Sequence, residues 1–271
     1  MSDKRPIGIF DSGLGGLTVM KEIVKLMPNE NIVYFGDTGR VPYGTRSREI
    51  INKYAMQDEK FLLNNDVKLI VAACGTVSSV VADTKHSLPV PFFEVISYAA
   101  QMAVKATKNK KIGVIGTSAT INSGSHKNKI LELDSTIQVF TNACTLFVPF
   151  VEEGWISADD DVVLGMVSKY LEPLKQSGVD TLILGCTHYP ILTEVIKKVM
   201  GDGVTLINPG EALASAVKQY LDNSDTATDE VNACYDFYVS DKTAAFEKTA
   251  EMLLGRKIAY NKVKQVDIDK I

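Results

Sequence analysis

"LILGCTHYP", residues 182–190, decides how the rest of the chain is read. Three apolar residues lead into Gly185, and Cys186, Thr187 and His188 follow in a row before Pro190. A short continuous apolar run fits a strand covered on both faces, as in parallel sheets flanked by helices. Such a strand brings a thiol, a hydroxyl and an imidazole to the carboxyl edge of its sheet, where open α/β sheets bind ligands.

The same pattern occurs earlier. "KLIVAACGTVS" (68–78) resembles "DTLILGCTHYP" (180–190) and sets Cys74 against Cys186, 112 residues apart. "PIGIFDSG" near the start resembles "KIGVIGTS", read with Asp11 against Thr117, 106 residues apart. Two offsets this close predict two similar α/β units facing each other.

Strands are expected at 6–10, 31–35, 67–74, 91–96, 110–116, 135–140, 180–186, in "VTLIN" and in "YDFYVS". Helical periodicity marks "GGLTVMKEIVKLMP", "REIINKYAMQDEKFLLNN", 159–178, "PILTEVIKKVMG" and "DKTAAFEKTAEMLLG". Strands alternating with helices predict an α/β fold with largely parallel sheets.

Composition narrows the function classes. The 271 residues are 45% hydrophobic and 23% charged, with a net charge of −4. No Lys/Arg cluster suggests nucleic-acid binding, and no apolar run is long enough for a signal peptide or a membrane span. The four cysteines (74, 144, 186, 234) form no C-x-x-C pair, and the three histidines (86, 126, 188) are scattered. Neither a metal site nor a disulfide framework is expected, and the chain reads as a cytosolic enzyme with free thiols.

Four strand ends carry small polar residues ahead of helix starts: Asp11-Ser12, Cys74-Gly75-Thr76, Thr117-Ser118 with Thr120, and Cys186-Thr187-His188. Free N–H groups at helix starts suit a carboxylate or phosphate. Cys144 and Cys234 read as structural thiols, the commonest fate of a cysteine. Cys74 and Cys186 sit at matched strand ends, where a helix start is expected to lower a thiol pKa. Two such thiols meeting across one substrate could take a proton from one face and return it to the other. His188 and Asp11 are placed to help them. Glu152, beside the apolar run "TLFVPFV", reads by itself as a solvated or capping charge.

At these residues the chain strongly resembles the glutamate racemases of the cofactor-independent aspartate/glutamate racemase superfamily. "GIFDSGLGGLTV", "YFGDTGRVPYGTRS", "VAACGTVSS", "GVIGTSAT", "ACTLFVPFVEEG" and "LGCTHYP", in this order, carry the resemblance over nearly the whole length. It implies two α/β domains, residues 1–97 plus 211–271 and residues 98–210, with the active site in the cleft between them. It implies racemisation of glutamate without metal or pyridoxal phosphate, in a cytoplasmic homodimer supplying D-glutamate for peptidoglycan. Cys74 would serve D-glutamate and Cys186 L-glutamate, with Asp11, His188 and Glu152 assisting. Asp11, Ser12, Pro42, Tyr43, Gly44, Gly75, Thr76, Thr117, Thr120 and Thr187 would hold the substrate.

Several positions depart from the family pattern. Gly75 stands where Asn is common, Ala119 where a second Gly is usual, His126 for Tyr, Glu94 for Gly, and Thr145 for Pro. The rival readings are an aspartate racemase of the same superfamily, an aspartyl-nucleophile phosphatase and a non-catalytic amino-acid-binding protein. Gly13 lacks the second acid the phosphatase needs, and the binding protein would not need two thiols. A nucleotide site fails because "SGLGGL" breaks the G-x-G-x-x-G spacing.

Overall fold

The computed structural model describes residues 2–81, 88–242, 246–256, 258 and 262–271. Its strands form two wholly parallel sheets. The first has the order β10 (Val263–Gln265), β9 (Tyr235–Val239), β2 (Ile32–Gly36), β1 (Ile7–Asp11), β3 (Leu69–Ala72), β4 (Phe92–Glu94). The second has the order β6 (Gln138–Ala143), β5 (Lys111–Gly116), β7 (Thr181–Leu184), β8 (Thr205–Ile207). The run β2-β1-β3-β4 therefore has the same connectivity as β6-β5-β7-β8, and the sequence repeat is a repeat of topology. β1 and β3 are buried along their whole lengths, as is β7.

The pairing corrects the sequence alignment of the repeat by one residue. Ile7 pairs with Leu69, and Ile112 pairs with Thr181. With Cys74 matched to Cys186, Ser12 then corresponds to Thr117 and Asp11 to Gly116. Two hydroxyls, not a carboxylate and a hydroxyl, occupy the equivalent strand ends.

Other differences have local causes. The strand expected at 91–96 stops at Glu94, whose carboxylate accepts from the backbone N–H groups of Ile96 (2.6 Å) and Ser97 (2.9 Å). It thereby caps α4 (Val95–Ala106), and a cap of this kind is worth about 0.5–2 kcal/mol. β6 begins later than expected because Asp134 turns the chain, accepting from Thr136 N at 2.9 Å. The sequence reading had no helix at α10 (Pro209–Ser224), which Asn208 caps and Pro209 starts. Residues 243–245, inside the expected final helix, lie outside the described residues, and α11 is described over Phe246–Leu254.

α1 (Leu17–Leu26) packs on α10, which packs on α4, so three helices join the two sheets. A single apolar cluster runs from Ile7 and Met20 through Val95 to Leu171 and Leu182. The domain limits expected at 97/98 and 210/211 fall inside α4 and the first turn of α10. No helix among the described residues is long and apolar enough to cross a membrane.

Candidate active site between the two sheets

The carboxyl ends of β1, β3, β5 and β7 face a common cavity of about 480 Å³. Its wall includes every residue the sequence singled out: Asp11, Ser12, Pro42, Tyr43, Gly44, Cys74, Gly75, Thr76, Thr117, Thr120, Glu152, Cys186, Thr187 and His188. The folding logic is local. Parallel strands must end at one edge, and each apolar run stops where a small polar residue turns the chain. Thr76 Oγ1 lies 3.1 Å from Thr117 Oγ1, which lies 3.0 Å from Thr120 Oγ1. This hydroxyl chain joins the two units at the cavity wall.

Cys74 and Cys186 have different surroundings. The Cys74 thiol donates to Ser12 Oγ at 3.4 Å. Burial, helped by the nearby Asp11, pushes it up to about 12. This overturns the expectation of a lowered pKa. α3, described over Gly75–Val81, starts beside the thiol, and its field does not offset the loss of water. Asp11 is itself buried. Its Oδ2 accepts from Gly13 N at 3.0 Å, while Oδ1 has no hydrogen-bond partner. Burial raises this carboxyl against the opposing pull of His188.

Cys186 has a cation beside it. Its Sγ lies 3.9 Å from His188 Nδ1, and His188 Nε2 lies 3.2 Å from Glu152 Oε1. Glu152 ends α7 (Phe147–Glu152) and is half exposed. Burial acts against the imidazolium, but Cys186 and Glu152 outweigh it and hold His188 at about 10. Glu152, unremarkable by itself in the sequence, thus belongs to a Cys–His–Glu row. The linkage has a definite sign. His188 is raised above its ordinary value of about 6.5, so its stabilising contribution is full below pH 6.5 and is lost as pH rises through 10. Urea denaturation of the wild type is expected to show falling stability across that window. His188→Asn is expected to flatten the fall, and an equally steep fall in the variant would refute the assignment.

Tyr43 contributes its ring rather than its hydroxyl, which donates to Asp37 and lies 3.3 Å from Asp58 Oδ2. Two glycines permit close approach. A Cβ on Gly15 would lie 2.1 Å from Thr187 Oγ1 and 2.7 Å from His188 Cε1, so the "DSGLGG" turn leans directly on the "CTH" segment. A Cβ on Gly75 would lie 2.7 Å from the Gly185 carbonyl. The missing amide at position 75 therefore goes with a tight junction between the two thiol-bearing segments.

The remaining departures are explained in part. Glu94 is the cap of α4. Thr145 Oγ1 lies 2.9 Å from Tyr170 OH. His126 is buried with both ring nitrogens unpartnered, and burial holds it neutral, down to about 4. Nothing in the structure explains Ala119. The sequence reading missed Val148 and Pro149, which form an apolar wall on α7, and Cys144, a buried thiol that also lines the cavity. Apolar wall residues carry no sequence signal that separates them from core. Among the described residues no group of three or more His, Cys, Asp or Glu is arranged to hold a metal ion.

Known proteins resemble the chain over most of its length. The sequence pattern of the Asp/Glu/hydantoin racemase family matches residues 7–217. The glutamate racemase of Thermoanaerobacter pseudethanolicus is 44% identical over 268 residues, 99% of each chain. A glutamate racemase isoform from Bacillus anthracis superposes with a TM-score of 0.91 at 38% identity, covering 97% of both chains. The Francisella tularensis glutamate racemase, solved with D-glutamate, superposes with a TM-score of 0.91 at 37% identity, covering 99% of this chain and 100% of that one.

Proposed function

The chain belongs to the Asp/Glu/hydantoin racemase family, and from that premise we propose that it is a glutamate racemase working through two thiols. The observation that carries this reading is the pair Cys74 and Cys186, which follow equivalent strands of a repeated unit and line one cavity. The full-length relatives named glutamate racemase favour glutamate over aspartate.

Cys74, buried and pushed up to about 12, starts with its proton, whereas Cys186 has the His188 cation beside it. With L-glutamate bound, the Cys186 thiolate removes the Cα proton. The electron pair moves toward the α-carboxylate, and the Cys74 thiol donates its proton to the opposite face. D-glutamate leaves with a thiol at Cys186 and a thiolate at Cys74, which is the state that runs the reverse reaction. The Asp11 carboxylate at the cavity wall suits the substrate ammonium, and the hydroxyls of Ser12, Thr76, Thr117, Thr120 and Thr187 suit its carboxylates. Pro42, Tyr43, Gly44 and Gly75 shape the pocket, while His188, Glu152 and Asp11 set the charge around the thiols.

In this reading the enzyme needs neither metal nor organic cofactor. It works in the cytoplasm as a homodimer and supplies D-glutamate for peptidoglycan, and its lobes are residues 1–97 plus 211–271 and 98–210. Polarimetry tests the activity. Optical rotation of L-glutamate and of D-glutamate is expected to decay to zero without added cofactor, and that of L-aspartate to persist. Persistent rotation of both glutamate enantiomers would refute the proposal.

A further inference from the structure

Behind the wall formed by Pro42, Tyr43 and Gly44 sits a charged cluster that no step above uses. Asp37 and Asp58 are both fully buried. Arg40 lies between them with every side of its guanidinium occupied. Nε donates to Asp37 Oδ2 at 2.6 Å, Nη1 to Gln57 Oε1 at 2.6 Å, and Nη2 to Asp58 Oδ1 at 3.2 Å. Its flat face lies 4.0 Å from the Tyr54 ring centroid. Tyr43 donates its hydroxyl to the Asp37 oxygen that Arg40 binds. Burial and the neighbouring Asp37 push the Asp58 carboxyl well up against the opposing pull of Arg40, the one cation paired with both acids among the described residues.

The cluster also reaches the end of the chain. Asp269 Oδ1 lies 3.7 Å from Arg40 Nη1, and Gln57 Nε2 lies 3.5 Å from the same oxygen. Ile268, beside it in a short 3-10 turn, is buried in the apolar cluster that holds Tyr43. Toward the cavity, a Cβ on Gly44 would lie 3.6 Å from Thr117 Cβ, so the clamped turn abuts the second unit beside its hydroxyl chain.

We propose that Arg40 is a positioning residue for the substrate, fixing the 42–44 turn through Asp37 and Tyr43, with the Asp269 turn closing the clamp from outside. The proposal rests on the racemase reading of this cavity. A guanidinium is suited to the task because its planar fork meets three acceptors in different directions, whereas an ammonium is a point charge. The thiols stand on other strand ends, after β3 and β7. Loosening the 42–44 turn therefore weakens ground state and transition state together, which raises KM and spares kcat.

Steady-state kinetics of the full-length wild type, Arg40→Lys and Arg40→Gln, in both directions, tests this. Arg40→Gln is expected to raise KM about tenfold or more, and Arg40→Lys less, with kcat within about threefold of wild type. In the double variant Arg40→Gln/Tyr43→Phe, KM is expected to rise no further than in Arg40→Gln alone, because the two changes break one chain of contacts. A loss confined to kcat, or KM effects that multiply, would overturn the clamp. If Arg40→Gln fails to fold, Arg40→Lys and Asp269→Asn carry the test, and unchanged KM in both refutes it. No racemisation by the wild type would instead defeat the reading of the site.

Discussion

Cys74→Ala and Cys186→Ala are each expected to lower kcat at least about a thousandfold in both directions, because a two-base reaction needs both a proton acceptor and a proton donor in every turnover. Cys144→Ala is expected to keep kcat within about tenfold of wild type. It lines the same cavity, but its thiol is fully buried, lies 3.9 Å from the Asn142 carbonyl, and is pushed up by burial and by the nearby Cys186. The comparison separates a thiol that forms wall from thiols that move protons. Racemisation surviving in either of the first two variants, at a rate near wild type, would refute the assignment. Fluorescence-detected glutamate binding by both inactive variants would show that the pocket persists without the chemistry.

The second large effect belongs to a residue with no side chain. Gly75→Ala is expected to lower kcat about a hundredfold, since displacing a reacting group by about 1 Å costs that much. The added Cβ would meet the Gly185 carbonyl at 2.7 Å. That atom is backbone, one residue before Cys186, so relief requires moving the thiol-bearing segment itself. Gly75→Asn, the residue common in the family, is expected to be no better, because the same Cβ collides first. Wild-type kcat in Gly75→Ala would show that the two segments do not rely on this close approach.

Much of this was legible in the sequence, for identifiable reasons. β1, β3, β5 and β7 were legible because a strand covered on both faces leaves a continuous apolar run, and the small polar residue that ends each run marks the cavity edge. The family resemblance added Pro42, Tyr43, Gly44 and the role of Glu152. α4 and α10 went unread although each carries an apolar stripe, because many of its buried positions are alanines, such as Ala99, Ala100, Ala103 and Ala214, rather than large apolar residues. The end of β4 depended on Glu94 folding back on its own helix start, a conformational choice the residue type does not announce. The Cys74 pKa was read in the wrong direction because burial is a property of the assembled lobes, while a helix start is visible locally. The Arg40 cluster joins residues 37, 58 and 269, and no spacing in the chain connects them.

The central claim is that two thiols on opposite sides of one substrate carry out the proton transfer. The most direct measurement follows L-glutamate in D₂O at low conversion, with both enantiomers resolved and analysed by mass. Cys186 would remove protium, and Cys74 would deliver deuterium from solvent. The account predicts D-glutamate carrying one deuterium from the earliest time points, while the residual L-glutamate stays largely unlabelled. D-glutamate that retains protium, or residual L-glutamate labelled as fast as product forms, would contradict it.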